Sequence, residues 1–350
     1  MALLQSNWLS RRCAHNELMG WKTIMFAVPT PQDIGLIEAD KVAQIATALD
    51  ARLELFHCVF DAGVAHPGQF PPPGGQEEIQ RLVSAAEQGL ERIAERFRAR
   101  GLSVKTSIRW DAPVHEGIVR QVLRHMPSLL IARASRLGEI GHLRPSHTDW
   151  KLIETCPCPV LLLKSPRPYA QPLVIAAVDP GHAHDKPAAL DDQILESARL
   201  LSDALSGRLE VFHARIPWDE AIHLDPQLYD LPEYRDEEIH GAYLAQVETR
   251  VLELAGKHHI AREQVTIQDG HAAQSLPRYA NQRQAQILAM GAVSRSRLRR
   301  TLIGDTAARA LGALHCDALI VKPPGFQTPV PRQSTHHVEA GTELGSRLRW

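Results

Sequence analysis

The chain has 350 residues, enough for two or three domains, and 44% of them are hydrophobic, so sizeable cores can be buried. Lys and Arg number 39 against 40 Asp and Glu, which excludes a global field driving the whole chain onto nucleic acid or an anionic membrane. No apolar run approaches the roughly 20 residues that cross a bilayer, and the opening MALLQSNWLSRRCAHNEL lacks the basic-then-apolar order of a secretion signal; a soluble, cytoplasmic protein without a membrane partner is expected.

In chain order, residues 1–20 read as an N-terminal extension, with Met19 an alternative start directly before GWKTIMFAV. Strands are expected at TIMFAV near Thr23, LELFHCVF near Leu53, LSVKTSI near Leu102, SLLIA near Ser128 and PVLLLK near Pro159, with helices between them. SPRPYAQP, from Ser165 to Pro172, interrupts both periodicities and reads as a linker. Strands resume at PLVIAAV near Pro172, LEVFHA near Leu209, QVTIQ near Gln264, AQILAM near Ala285 and DALIVK near Asp317. The tail, 324–350, has too little apolar periodicity for another packed element and either wraps or stays disordered. The alternation implies an α/β protein of two domains, 21–165 and 172–323, each with a five-stranded parallel sheet and crossover helices.

The two halves repeat each other. ARLELFH, ending at His57, returns as GRLEVFH, ending at His213, and SLLIARASR corresponds to AQILAMGAVSR. SHTDWKLIETCPCPVLLLK aligns without a gap on GDTAARALGALHCDALIVK, so that Thr148 meets Thr306, Cys158 meets Cys316 and Lys164 meets Lys322. His57 and His213 recur at matching strand ends, which implies a shared packing role.

Cys13, Cys58, Cys156, Cys158 and Cys316 are few and odd in number, which suits a reducing compartment and no structural disulfide. Cys156-Pro-Cys158 lacks the spacing of a zinc knuckle, and the 18 histidines include no HExxH helix, so no metal is expected. No GxxxxGK[ST] loop, GxGxxG fingerprint, nucleophile elbow or spaced carboxylate pair appears, and no catalytic residue is assigned.

From Trp21 to Pro331 the chain resembles the universal stress proteins of the tandem type, most specifically in HTDWKLIETCPCPVLLLK and IGDTAARALGALHCDALIVKPPGFQTPV. The resemblance implies two Rossmann-like domains of the adenine nucleotide alpha hydrolase-like fold. Nucleotide-binding members carry a glycine, two residues, a second glycine, nine residues, then a third glycine and a small polar residue, with an Asp ending the first strand. The glycines allow close backbone approach to phosphates, and the last opens a helix whose free N–H groups attract an anion.

Carried onto the second copy, the resemblance implies a site of Asp179, Gly291, Ser294, Arg295, Gly304, Asp305 and Thr306, converging at the carboxyl edge of its first and fourth strands. Ser294 replaces the second glycine, and Asp305 places a carboxylate beside the phosphate position. Asp305 also reads as an N-cap worth about 1 kcal/mol. Arg295, Arg297, Arg299 and Arg300 could grip phosphates or form an exposed basic loop. The first copy has Pro29, Arg133, Arg136 and Ser146 at the matching positions, and no nucleotide is expected there. Its arginines at the mouth of strand four could bind another anion or form ion pairs across the boundary between copies, and the boundary is the expectation.

The expected function is regulatory or protective in stress response, without enzymatic activity and with no required cofactor. The second domain alone is a site for ATP or AMP with Mg²⁺. A nucleotide-independent scaffold for protein, RNA or an apolar ligand, and a slow ATPase, are the alternatives. Pairing of the two domains is expected within the chain, and a homodimer remains open.

Overall fold

The computed structural model describes residues 20–31, 36–61, 63–64, 75–134, 146–181, 189–224, 237–292 and 305–334. The first copy runs β1 (Thr23–Ala27), α1 (Leu36–Ala48), β2 (Arg52–Val59), α2 (Gly75–Arg98), β3 (Val104–Trp110), α3 (Val114–His125), β4 (Leu129–Arg133), α4 (His147–Thr155) and β5 (Val160–Leu163). The second runs β6 (Leu173–Ala177), α5 (Ala189–Ala204), β7 (Arg208–Arg215), α6 (Trp218–Leu224), α7 (Glu237–Lys257), a short 3₁₀ turn, β8 (Val265–Asp269), α8 (Ala272–Gln282), β9 (Ile287–Gly291), α9 (Asp305–Ala313) and β10 (Asp317–Val321). All ten expected strands form where their aliphatic runs lie, because those runs can be buried on both faces of a sheet.

The strands assemble into one ten-stranded sheet ordered β3-β2-β1-β4-β5-β10-β9-β6-β7-β8. Neighbours within each copy pair in parallel, whereas β5 and β10 pair antiparallel, with Leu162 opposite Ala318, Leu161 opposite Leu319 and Val160 opposite Ile320. The order reads identically from either end, so the copies are fused edge to edge by an approximate twofold at β5 and β10. Each copy thereby removes the other's exposed inner edge strand.

Alternate residues of the two seam strands enter different cores, as a pleated strand requires. Leu161, Leu163, Leu319 and Val321 join one cluster with α1, α2, α5 and α7, while Val160, Leu162, Ala318 and Ile320 join the other with α3, α4, α8 and α9. Both cores contain residues of both copies. Hydrophobic burial therefore acts directly across the junction between the halves.

Beyond β10 the chain turns back over the first copy. Val330 is buried in the second cluster, the Pro331 carbonyl accepts a hydrogen bond from Arg120 Nε at 3.2 Å, and the Ser334 hydroxyl donates to Asp111 Oδ1 at 2.8 Å. The tail wraps at least to Ser334; its remainder lies outside the described residues.

Candidate nucleotide site and the seam between copies

β6 pairs with β9, which brings Asp179, two residues past the end of β6, to the same sheet edge as Gly291, the last residue of β9. The chain leaves β6 toward β7 on one side and has β9 on the other, so this edge is a topological switch point. The Asp179 amide donates to Asp191 Oδ1 at 3.1 Å, and its carboxylate, 38% exposed, lies 3.9 Å from His213 Nδ1. His213 Nδ1 donates to the Val178 carbonyl at 3.0 Å, just as His57 Nδ1 donates to the Val28 carbonyl at 2.8 Å in the first copy. A carbonyl only accepts, so both imidazoles carry their proton on Nδ1 in these bonds. Burial, partly offset by the Val28 bond, holds His57 below the ordinary histidine range. The two histidines pin the end of the first strand of each copy.

Gly291 has a packing reason of its own. A Cβ there would stand 2.7 Å from Leu190 Cδ2 and 3.3 Å from Ile194 Cδ1, so the missing side chain lets α5 lie against β9. The matching residue of the first copy, Arg133, instead carries an ion pair to Glu38 of α1 at 3.1 Å. This corrects the expectation that Arg133 serves the boundary between copies: α1 of its own domain offers a carboxylate within reach. The crevice beside Arg133, lined by Phe26, Glu38 and Lys164, has a volume of only about 10 Å³, room for about one water.

The helix following the fourth strand begins differently in the two copies. Ser146 caps α4: its Oγ accepts from the Asp149 amide at 3.2 Å, and Asp149 Oδ2 accepts from the Ser146 amide at 2.7 Å, a reciprocal capping box. The gapless alignment places Gly304 and Ala307 at those positions in the second copy, and neither side chain can reproduce either bond. The described part of α9 begins at Asp305, and the N-cap reading of Asp305 rests on a side chain outside the described residues. Ser294, Arg295, Arg297, Arg299, Arg300 and Gly304 lie outside the described residues, as do Arg136 and the side chains of Asp305 and Thr306.

The polar seam was not foreseen. Asp317, fully buried, receives the Lys164 amide at 2.7 Å and the Ser165 amide at 3.0 Å on Oδ1; Oδ2 takes the Tyr169 hydroxyl at 2.5 Å and an ion pair from Lys41. Lys41 also donates to the Ser165 carbonyl at 2.9 Å and lies 4.1 Å above the Tyr169 ring. Burial lowers the Lys41 amine despite the opposing pull of Asp317. One acidic side chain of the second copy thus organises α1 of the first copy and the chain between the copies.

A second pair of groups, half-buried carboxylates, repeats by position. Glu54 on β2 accepts from Ser107, from Gln121 at 2.7 Å and from His125 at 2.6 Å; Glu210 on β7 accepts from Tyr279 at 2.9 Å and from Arg283. Among the described residues no group of three or more His, Cys, Asp or Glu could hold a metal ion, and no helix is long and apolar enough to cross a membrane.

Two Rossmann-like α/β copies that share one sheet, each presenting a switch-point edge, define a tandem protein of the adenine nucleotide alpha hydrolase-like fold. The Universal stress protein family model matches residues 20–164 and 175–322, and the chain belongs to that family. It is 22% identical over 283 residues to Universal stress protein E of Photorhabdus laumondii, covering 80% of this chain and 88% of the relative. Against Universal stress protein E of Escherichia coli K12 it is 24% identical over 287 residues, covering 81% and 88%. A structure of a functionally unknown protein from Pseudomonas aeruginosa PAO1 shares the fold with a TM-score of 0.66 at 23% identity, covering 89% of this chain and 96% of that one. A universal stress protein from Archaeoglobus fulgidus does so with a TM-score of 0.58 at 14% identity, covering 86% and 98%.

Proposed function

We propose that this stress-response protein binds one adenine nucleotide, ATP or AMP with Mg²⁺, at the carboxyl edge of its second copy, and acts in the cytoplasm by regulation or protection rather than by turnover. The observation that carries the reading is that α4 is closed by its own Ser146 and Asp149, whereas the aligned residues of the second copy, Gly304 and Ala307, have no side chain able to form that capping box. Uncapped amides at a helix N-terminus favour a phosphate. Asp179 at the adjacent strand end would address the adenosine end, and the arginines from Arg295 to Arg300 would meet the phosphates. Relatives named as universal stress proteins support the stress-response role.

Thermal unfolding with and without excess ATP and Mg²⁺ tests the reading, because a ligand selective for the folded state stabilises by about 2.7 kcal/mol at a hundredfold excess over Kd. The expected result is a melting shift that Gly304→Val abolishes. Phosphate release no faster than from a heat-killed control would accompany it. No shift at millimolar ATP would favour a nucleotide-independent scaffold, a reading supported by the packing of Leu190 against Gly291, which gives that glycine a purpose without nucleotide.

A further inference from the structure

Cys156 and Cys158 lie where α4 ends and β5 begins, and their sulfur atoms are 3.6 Å apart. Both are free thiols, Cys156 buried and Cys158 partly open to solvent. The Cys156 amide is held by the Leu152 carbonyl at 2.9 Å, so the backbone under the first sulfur is fixed while the second sits on the short connection into β5. We propose that Cys156 and Cys158 form a dithiol that hydrogen peroxide oxidises reversibly to an intrachain disulfide. Closing that bond shortens the 3.6 Å separation to about 2.05 Å.

The surroundings favour the chemistry at this pair over the other described cysteines. Burial raises the Cys156 thiol, but the hydrogen bond from the Cys158 thiol outweighs it and holds Cys156 below its ordinary value, and the Lys322 amine, placed on the Glu154 carbonyl at 3.0 Å, adds to the effect. Cys316 matches Cys158 in the second copy, but the residue matching Cys156 is Leu314, so Cys316 has no thiol at the corresponding place. Burial pushes the Cys58 and Cys316 thiols up to about 12, which keeps them protonated and unreactive.

In the first step the Cys156 thiolate, held by the hydrogen bond from the Cys158 thiol, attacks one oxygen of a peroxide that enters past Cys158; the O–O bond breaks and hydroxide leaves, so that sulfur is oxidised to a sulfenic acid. In the second, the Cys158 sulfur attacks Cys156; the S–O bond breaks, the S–S bond forms, and the Cys158 proton leaves with the hydroxyl as water. Peroxide supplies both oxidising equivalents, and a dithiol reductant reverses the reaction.

The full chain is treated with one equivalent of hydrogen peroxide, alkylated and digested with trypsin, which leaves both cysteines in one peptide, Leu152–Lys164. The expected product is that peptide two hydrogens lighter and unalkylated, returning to the doubly alkylated form after dithiothreitol. In Cys158→Ser the sulfenic acid at Cys156 has no second thiol and should be captured by dimedone. Two alkylated thiols after peroxide, a disulfide from either cysteine to another peptide, or a Cys156 that stays unlabelled and alkylatable in Cys158→Ser would each overturn the assignment. None of these outcomes depends on whether nucleotide binds.

Discussion

Lys164 and Lys322 hold matching places at the ends of β5 and β10, and each sends its amine into the final turn of the other copy's last helix. Lys164 Nζ donates to the carbonyls of Leu311 and Leu314 around the end of α9, while Lys322 Nζ donates to the Glu154 carbonyl of α4. A cation at a helix C-terminus meets orphan carbonyls and the negative end of the helix dipole. The exchange fastens the seam at the two strand ends.

Both amines are buried, and that burial brings each down to about 8 from 10.5. Below pH 8 the folded chain must hold protons in an apolar place, which opposes folding; as pH rises from 8 toward 10.5 the folded amines are neutral while unfolded ones stay charged, and the penalty is relieved. Relative to Lys322→Met, the wild type should therefore gain about 1 kcal/mol between pH 7 and pH 9. Urea unfolding of both proteins at the two pH values measures the difference, and an unchanged gap would count against a strongly depressed Lys322.

Asp317→Ala should be among the most damaging single changes. It strips the ion-pair partner from Lys41, itself 2% exposed at the side chain, and leaves the Tyr169 hydroxyl and two backbone amides without their acceptor. Breaking a buried pair from one side costs about 3–5 kcal/mol. Adding Lys41→Met should restore part of that loss, because the second change removes the stranded charge. Equilibrium unfolding of the two single variants and the double variant supplies the cycle.

Acid sensitivity should trace partly to Glu54. Burial raises its carboxyl, but hydrogen bonds from His125, Ser107 and Gln121 outweigh burial and hold it below its ordinary value of 4.5. A lowered carboxyl contributes stability above the unfolded value and loses it as pH falls through the folded one. Glu54→Gln should therefore flatten the decline in unfolding midpoint between about pH 5 and pH 3. Glu210, lowered by Arg283 and Tyr279 against the opposing effect of burial, should behave the same way in the second copy.

The returning tail should stabilise the first copy. Deleting residues 329–350 removes buried Val330 and the partners that Pro331 and Ser334 give to Arg120 and Asp111. The expected cost is about 1–3 kcal/mol, the range for burying one aliphatic side chain together with its hydrogen bonds. Hydrogen exchange should show the loss in α3, which carries Arg120, before it appears in α8 of the second copy.

Much of the architecture was legible in the chain. The central strands were announced by runs such as PVLLLK or DALIVK, too apolar to face water on either side, and the repeated RLE-x-FH segment placed His57 and His213 at equivalent strand ends. The candidate site was legible only in part. Asp179 and Gly291 do meet at one edge, but the contact between Gly291 and Leu190 joins residues about a hundred apart in sequence, and no local pattern announces it. Arg133 illustrates the same limit, because its choice of Glu38 depends on where α1 crosses the sheet.

The sequence by itself determined that there are two copies and which segments become strands, because periodicity and turn chemistry act over a few residues. Only the tertiary structure decided that the copies share one sheet through β5 and β10 and exchange Lys164 for Lys322. It also decided that Asp317, an ordinary-looking residue before an apolar run, sits fully buried among donors from the first copy and the segment between the copies. Those outcomes depend on which edge strand meets which, and on the cost of leaving a buried charge unpaired, both of which exist only once distant parts of the chain are brought together.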